Sequence, residues 1–253
     1  MMSKTGILIA LTLLAGLPFG QDAARAGDIE TPAGVVELFT SQGCSSCPPA
    51  DKALETLARE GKVVALAYHV DYWNYLGWAD TMASKENTER QYAYARMFGR
   101  SGVYTPQAVI NGREHRNGAD LKGIRERIAE LSAEDKGLPV RVSAAIVNDE
   151  IRIRIGKGAG KANVIVAYFD KERAVDIDRG ENRGRKIKYW HAVTNIETIG
   201  MWEGAETNLV LPAAVLARKD KTGCAILVQR MRTADTPGAI LGATLLTAGK
   251  API

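Results

Sequence analysis

Val35-Val36-Glu37-Leu38-Phe39-Thr40-Ser41-Gln42-Gly43-Cys44-Ser45-Ser46-Cys47-Pro48-Pro49-Ala50-Asp51 holds the decisive pattern. Its first five residues are apolar apart from Glu37 and read as a short buried strand. A loop leads to two cysteines separated by two residues. Pro48 and Pro49 follow, and adjacent prolines fit a helix only in its first turn, where N–H groups have no intrahelical partner. Ala50, Leu54, Leu57 and Ala58 then recur at helical spacing, with Asp51, Lys52, Glu55 and Arg59 filling the other face. Gly61 ends that helix.

The position of the pair has a chemical consequence. A cysteine at a helix N-terminus meets unpaired N–H groups and the positive end of the helix dipole, and both favour thiolate. Cys44 is therefore expected to be the exposed attacking thiol and Cys47 the more buried resolving one, with exchange passing through a mixed disulfide on Cys44. The same pair also suits a structural disulfide or part of a metal site, and these readings stay open. A four-thiolate zinc site needs more thiols than the three cysteines present. Cys224 lies in an apolar run and reads as a small core residue.

Working outward, residues 63–70 form the next strand, followed by an aromatic stretch at 71–78. A helix is expected over 85–98, capped by Ser84 and stopped by Gly99. Tyr104-Thr105-Pro106 precedes a strand at 107–110, and Asn111-Gly112 is a hairpin signal. Leu121, Ile124, Ile128 and Leu131 mark one face of a further helix, which Gly137 and Pro139 stop. The pattern changes there. Residues 140–147 and 151–155 flank a turn at Asn148-Asp149. Further strands are expected at 164–169, 188–195, 208–211, 225–229 and 239–245, a spacing typical of sandwich-like domains.

The order strand, C-x-x-C, helix, strand, helix, X-Pro, hairpin, helix resembles the thioredoxin arrangement over roughly 35–136. In that resemblance Thr105-Pro106 matches the Thr-Pro pair whose cis proline faces the cysteines, and 71–102 is a helical insertion. It implies catalytic roles for Cys44, Cys47 and Pro106. The chain also resembles a family of bacterial secreted thioredoxin-like proteins of unknown function. The matching residues run from Val36 through Cys44 and Cys47 to Asp51, then His69-Val-Asp-Tyr-Trp73, Tyr104-Thr-Pro-Gln107 with Asn111-Gly112, and Gly180-Glu-Asn-Arg-Gly-Arg185 with Tyr189. The expected fold class is thus α/β. A thioredoxin-like domain with a helical insertion spans 27–137, and a β-rich, sandwich-like domain spans 138–253.

Residues 1–26 read as a signal peptide: Lys4, an apolar run over 6–17, then Ala24-Arg25-Ala26, with cleavage after Ala26. The run is too short to span a bilayer, so the expected location is periplasmic or secreted, with no membrane span after cleavage. A net charge of +4 is too small to point to nucleic acid, and the basic stretch 179–188 reads as a solvated loop. Protein thiols or disulfides in the periplasm are the expected partners, and no cofactor is expected.

Several residues near the pair compete for roles. Glu37 is a candidate proton relay, the alternative being a side chain that points to solvent or pairs with a nearby lysine. Thioredoxins carry a buried acid on this strand, but the spacing to Cys44 is here one residue longer. His69 reads as a structural histidine or, with Cys44 and Cys47, as a ligand for Cu(I) or Zn(II). His115 and His191 are isolated in sequence. Tyr72 and Trp73, with Thr105, are candidates for a substrate-facing wall, although a packed cap on the core explains the aromatics equally well. Glu181, Asn182, Arg183 and Tyr189 are the expected partner-facing loop if the second half is a non-enzymatic binding module.

Overall fold

The computed structural model of the chain describes residues 31–216 and 222–247. The expected signal segment 1–26 lies outside the described residues. The elements in order are β1 (Val35–Thr40), α1 (Pro48–Glu60), β2 (Val64–His69), α2 (Lys85–Met97), β3 (Gln107–Ile110), β4 (Glu114–Asn117), α3 (Leu121–Ala133), β5 (Val142–Val147), β6 (Glu150–Ile155), β7 (Ala162–Asp176), β8 (Lys186–Trp202), β9 (Thr207–Pro212), β10 (Gly223–Thr233) and β11 (Thr236–Thr247). No helix among the described residues is long and apolar enough to cross a membrane.

The fold is mixed α/β with a β-rich second half. Eight strands form one sheet in the order β11-β10-β7-β8-β2-β1-β3-β4, and β5-β6-β9 form a second. β1 pairs parallel with β2 and antiparallel with β3, whose turn to β4 is Asn111-Gly112. Both turn residues hold positive φ, as a tight hairpin turn requires. The large sheet crosses position 137, because β2 lies parallel to β8 at Ala67 and Ala192. One apolar cluster also crosses it, uniting Phe39, Tyr68 and Tyr94 with Phe169, Val193 and Leu227.

Strand alternation sorts the side chains between two faces. Val36 and Leu38 of β1 and Ala65 and Ala67 of β2 pack under α1 and α3. Val35 and Phe39 point to the opposite face, toward Tyr94 of α2. In the second half, Val164, Val166 and Tyr168 pack against Ile151, Ile153 and Ile155 of the small sheet, a two-sheet arrangement. β7 and β8 run well past the lengths expected from sequence. β10 pairs with β7 only through Phe169, whereas β7 and β8 continue together to Asp176 and Lys186. That extension is a two-stranded arm, and its tip at 177–185 reaches the cysteine loop.

Candidate functional site

Cys44 and Cys47 are joined as a disulfide directly before α1. Cys47 is the N-cap, and Pro48 and Pro49 open the helix. The first turn differs from the expectation in one respect. The prolines carry no N–H, and the N–H groups of Ala50 and Asp51 both donate to the Cys47 carbonyl. No free amide of that turn is left for a thiolate, so only the helix dipole and side chains can favour one. The Ser46 hydroxyl supplies such a side chain, 3.4 Å from the Cys44 sulfur.

Cys44 is not the exposed thiol that the sequence points to. It is 1% exposed, and Cys47 is fully buried. The cause lies 138 residues away, at the tip of the β7–β8 arm. Buried Asn182 donates from Nδ2 to the carbonyls of Cys44 and Gln42, both at 2.9 Å. Glu181 accepts the Ser45 N–H at 3.1 Å. Asn182 and Tyr189 therefore face inward, and only Arg183 and the rest of Glu181 remain at the surface. The stretch expected as a solvated loop is a clasp on the cysteine loop.

The Thr105–Pro106 bond is cis. Gly118 locates its proline: a Cβ there would stand 3.3 Å from Pro106 Cβ, 3.2 Å from Ala50 Cβ and closer still to Leu38. Pro106 thus lies at the first turn of α1. Trp73 donates from its indole to the Thr105 hydroxyl at 2.8 Å, and its backbone packs beside Gly43. The Tyr72 hydroxyl donates to Gln91 of α2 and also lies within hydrogen-bonding reach of Thr105.

Glu37 is not beside the cysteines. The one extra residue in its spacing flips its side chain to the sheet face opposite α1. There it is fully buried, paired with Arg90 at 2.7 Å and bonded by the Tyr94 hydroxyl. Arg90 also donates to Gln229 of β10, so the group ties α2 to β1 and to β10, four strands away in the sheet. Glu37 thus takes the ion-pair role, with arginine as its partner.

The acid on the cysteine side is Asp51, one helical turn past Cys47. The helical pattern puts it on the polar face of α1, yet it is buried and accepts the Thr40 hydroxyl at 2.8 Å. Thr40 shares the face of Leu38, which explains the meeting. Burial pushes the Asp51 carboxyl up to about 7, against the opposing pull of His69 and Thr40. His69 is held by Asp80 through Nδ1 at 2.8 Å, both side chains fully buried. Burial disfavours the charged imidazole, but Asp80 and Asp51 outweigh it and raise its pKa. Burial works against the Asp80 anion too, yet His69 and the Gln42 and Met82 amides keep its pKa low. Asp80 also receives the Gln42 N–H at 2.8 Å, linking this ion pair to the cysteine loop. The Tyr189 ring stands edge-on to His69, 4.8 Å between centroids. Asp51 Oδ2, His69 Nε2 and the Tyr189 hydroxyl are buried without a hydrogen-bond partner in the protein.

Cys44, Cys47 and His69 do not assemble a metal site. Among the described residues no three His, Cys, Asp or Glu side chains converge so as to hold an ion. The cysteines bind each other and His69 binds Asp80. His115, on β4, accompanies Tyr104 and Phe98, and His191 bonds the Ala65 carbonyl. Cys224 is free and buried, and burial pushes its thiol up to about 12.

A family model described as a protein of unknown function (DUF1223) matches residues 35–229. A crystal structure of a protein from Agrobacterium tumefaciens is 52% identical, covers 88% of this chain and 98% of that one, and superposes with a TM-score of 0.82. HBP35 of Porphyromonas gingivalis is 17% identical over 87% of this chain and 76% of that one, with a TM-score of 0.62, a likeness of fold alone. No curated protein matches the chain.

Proposed function

The chain belongs to the DUF1223 family of proteins of unknown function, and from its cysteine site we propose that it is an exported, thioredoxin-type thiol–disulfide exchange protein. The observation that carries the reading is the Cys44–Cys47 bond at the N-terminus of α1, with cis-Pro106 at the same turn. The small-residue and apolar pattern of residues 1–26 supports export, where a disulfide persists.

The chemistry runs in two steps. An incoming thiolate attacks the Cys44 sulfur, forming a new S–S bond while the bond to Cys47 breaks and Cys47 leaves as thiolate. A second thiol then attacks the partner's sulfur in the mixed disulfide, and Cys44 leaves, giving the dithiol protein and an oxidised partner. Asp51, buried one turn from Cys47 and poised between its two protonation states near neutral pH, is suited to give Cys47 its proton. Ser46 can donate to a Cys44 thiolate. The reverse sequence oxidises a dithiol.

The test is a trap. Reduced Cys47→Ser protein, treated with oxidised glutathione, is expected to gain one glutathione on Cys44 by intact mass, and the Cys44→Ser variant none. An unmodified Cys47→Ser protein would remove the reading. A second reading, a disulfide that only staples the loop, is favoured by the burial of Cys44 under Asn182. Under it, loss of the bond lowers stability and no thiol exchanges at the folded protein's site.

A further inference from the structure

The tip of the β7–β8 arm carries Arg179, Arg183 and Arg185, all exposed. None has an ion-pair or side-chain hydrogen-bond partner among the described residues, whereas their neighbours Lys186 and Lys188 are paired with Asp176 and Glu172. Two acids share the tip. Glu181 is engaged by the Ser45 amide, and Asp178 lies at the surface. The arginines therefore outnumber the acids on a turn that is itself pinned to the cysteine loop. Asn182, bonded to the Cys44 carbonyl, is within three residues of each of them. Three residues span at most about 10 Å of chain, and an arginine side chain reaches several ångströms further. The three arginines thus lie on the turn that is bonded to the Cys44 loop.

The approach to Cys44 is small and polar. Ser45 and Ser46 are exposed, Cys44 is 1% exposed, and the arm tip overhangs it. A sulfur exposed by only 1% is reached more easily by a thiol on a small flexible molecule than by one held on a folded protein surface. Guanidinium groups recognise carboxylates by paired hydrogen bonds and draw anions in by their field.

We infer that the partner exchanged at Cys44 is a low-molecular-weight thiol or disulfide carrying carboxylates, gathered by Arg179, Arg183 and Arg185. This rests on thiol–disulfide exchange at Cys44 and sets its substrate class apart from the protein thiols expected from sequence. In the exchange, the anionic thiolate displaces Cys47 from Cys44 and a second equivalent displaces Cys44, leaving the small molecule as its disulfide.

The experiment measures the rate at which the oxidised full chain is reduced by glutathione and by glutathione diethyl ester, compared per thiolate. The two share a thiol and differ in their carboxylate charges. Glutathione is expected to react about tenfold faster at low salt, with the gap closing at high salt. An Arg179→Gln/Arg183→Gln/Arg185→Gln variant, its fold checked by circular dichroism, should react with both at one rate. Equal rates in the unaltered protein, or a gap that survives in the variant, would overturn the inference while leaving exchange itself intact. An acidic cysteine-containing protein that reacts faster than glutathione would overturn the size argument. Failure of both glutathione forms and of small neutral thiols to reduce the bond would instead remove the exchange reading.

Discussion

Replacing Asp51 by Asn removes a charge and almost no volume, and Asn retains an oxygen for the Thr40 hydroxyl. The expected consequence is a stability difference that grows with pH. Burial raises the Asp51 carboxyl from 3.8 to about 7 in the folded chain. Between those values the folded protein holds the proton and the unfolded chain does not. The group's contribution is thus fully present below about 4 and is lost as pH rises toward 7. Each tenfold change in proton affinity is worth about 1.4 kcal/mol, so keeping Asp51 in its buried place costs about 4 kcal/mol by pH 7 and roughly half that at pH 5. Asp51→Asn should therefore gain about 2 kcal/mol relative to the natural protein between pH 5 and pH 7. His69 keeps Asp80, the larger of the two pulls that raise its pKa, and loses only the smaller pull of Asp51. Urea unfolding of the oxidised proteins at pH 5, 6 and 7 reads this as a midpoint gap widening by roughly 1 M. A gap constant with pH, or one that narrows, would refute the placement of a protonated carboxyl behind Cys47.

Three other substitutions separate the residues around the pair. Ser46→Ala in the Cys47→Ser background should lower the fraction of Cys44 present as thiolate, followed by thiolate absorbance, because the hydroxyl that can donate to it is gone; Cys224 is too deeply buried to interfere. Glu37→Gln should lower stability by about 3–5 kcal/mol, because Arg90 is left buried without its counter-charge. Since Glu37 faces away from α1, the exchange rate of the folded fraction should not move. Asn182→Ala breaks the two bonds that hold the arm tip on the cysteine loop and should speed reduction of the disulfide by small thiols, while costing about 1–3 kcal/mol in a melt.

What is legible in the sequence is local. Ser84 accepting the Asn87 amide, Gly61 in the left-handed region and the Asn111-Gly112 and Asn148-Asp149 turns all sit where their chemistry places them. Such signals act within a few residues and need no tertiary context. β7 is not legible beyond Phe169 because its residues there, Lys171, Glu172 and Arg173 among them, bury no continuous face, whereas the β8 side of the arm, with Tyr189, Trp190 and Ala192 buried, falls within the expected strand 188–195. Alternation cannot mark a strand that has no core beneath it. Glu37 reads as a relay candidate yet sits elsewhere, because a period of two makes one residue of register decide the face. The spacing to Cys44 already carries that warning. Asp51 escapes a sequence reading because a helical wheel sorts carboxylates outward, and only Thr40 and His69, brought in by β1 and β2, make its burial sensible. One local signal is available: Asp51 lies four residues after Cys47, on the same side of the helix. The clasp of Asn182 on Cys44 joins positions 138 residues apart, a separation over which no sequence periodicity operates.

Whether the Cys44–Cys47 bond turns over is decided by its reduction potential. Equilibrating the full chain with glutathione redox buffers and counting trapped thiols by mass gives the value. Turnover predicts a bond that opens within the range of exchange proteins, above about −300 mV. A potential below that limit would contradict turnover and leave a disulfide that only fastens the loop.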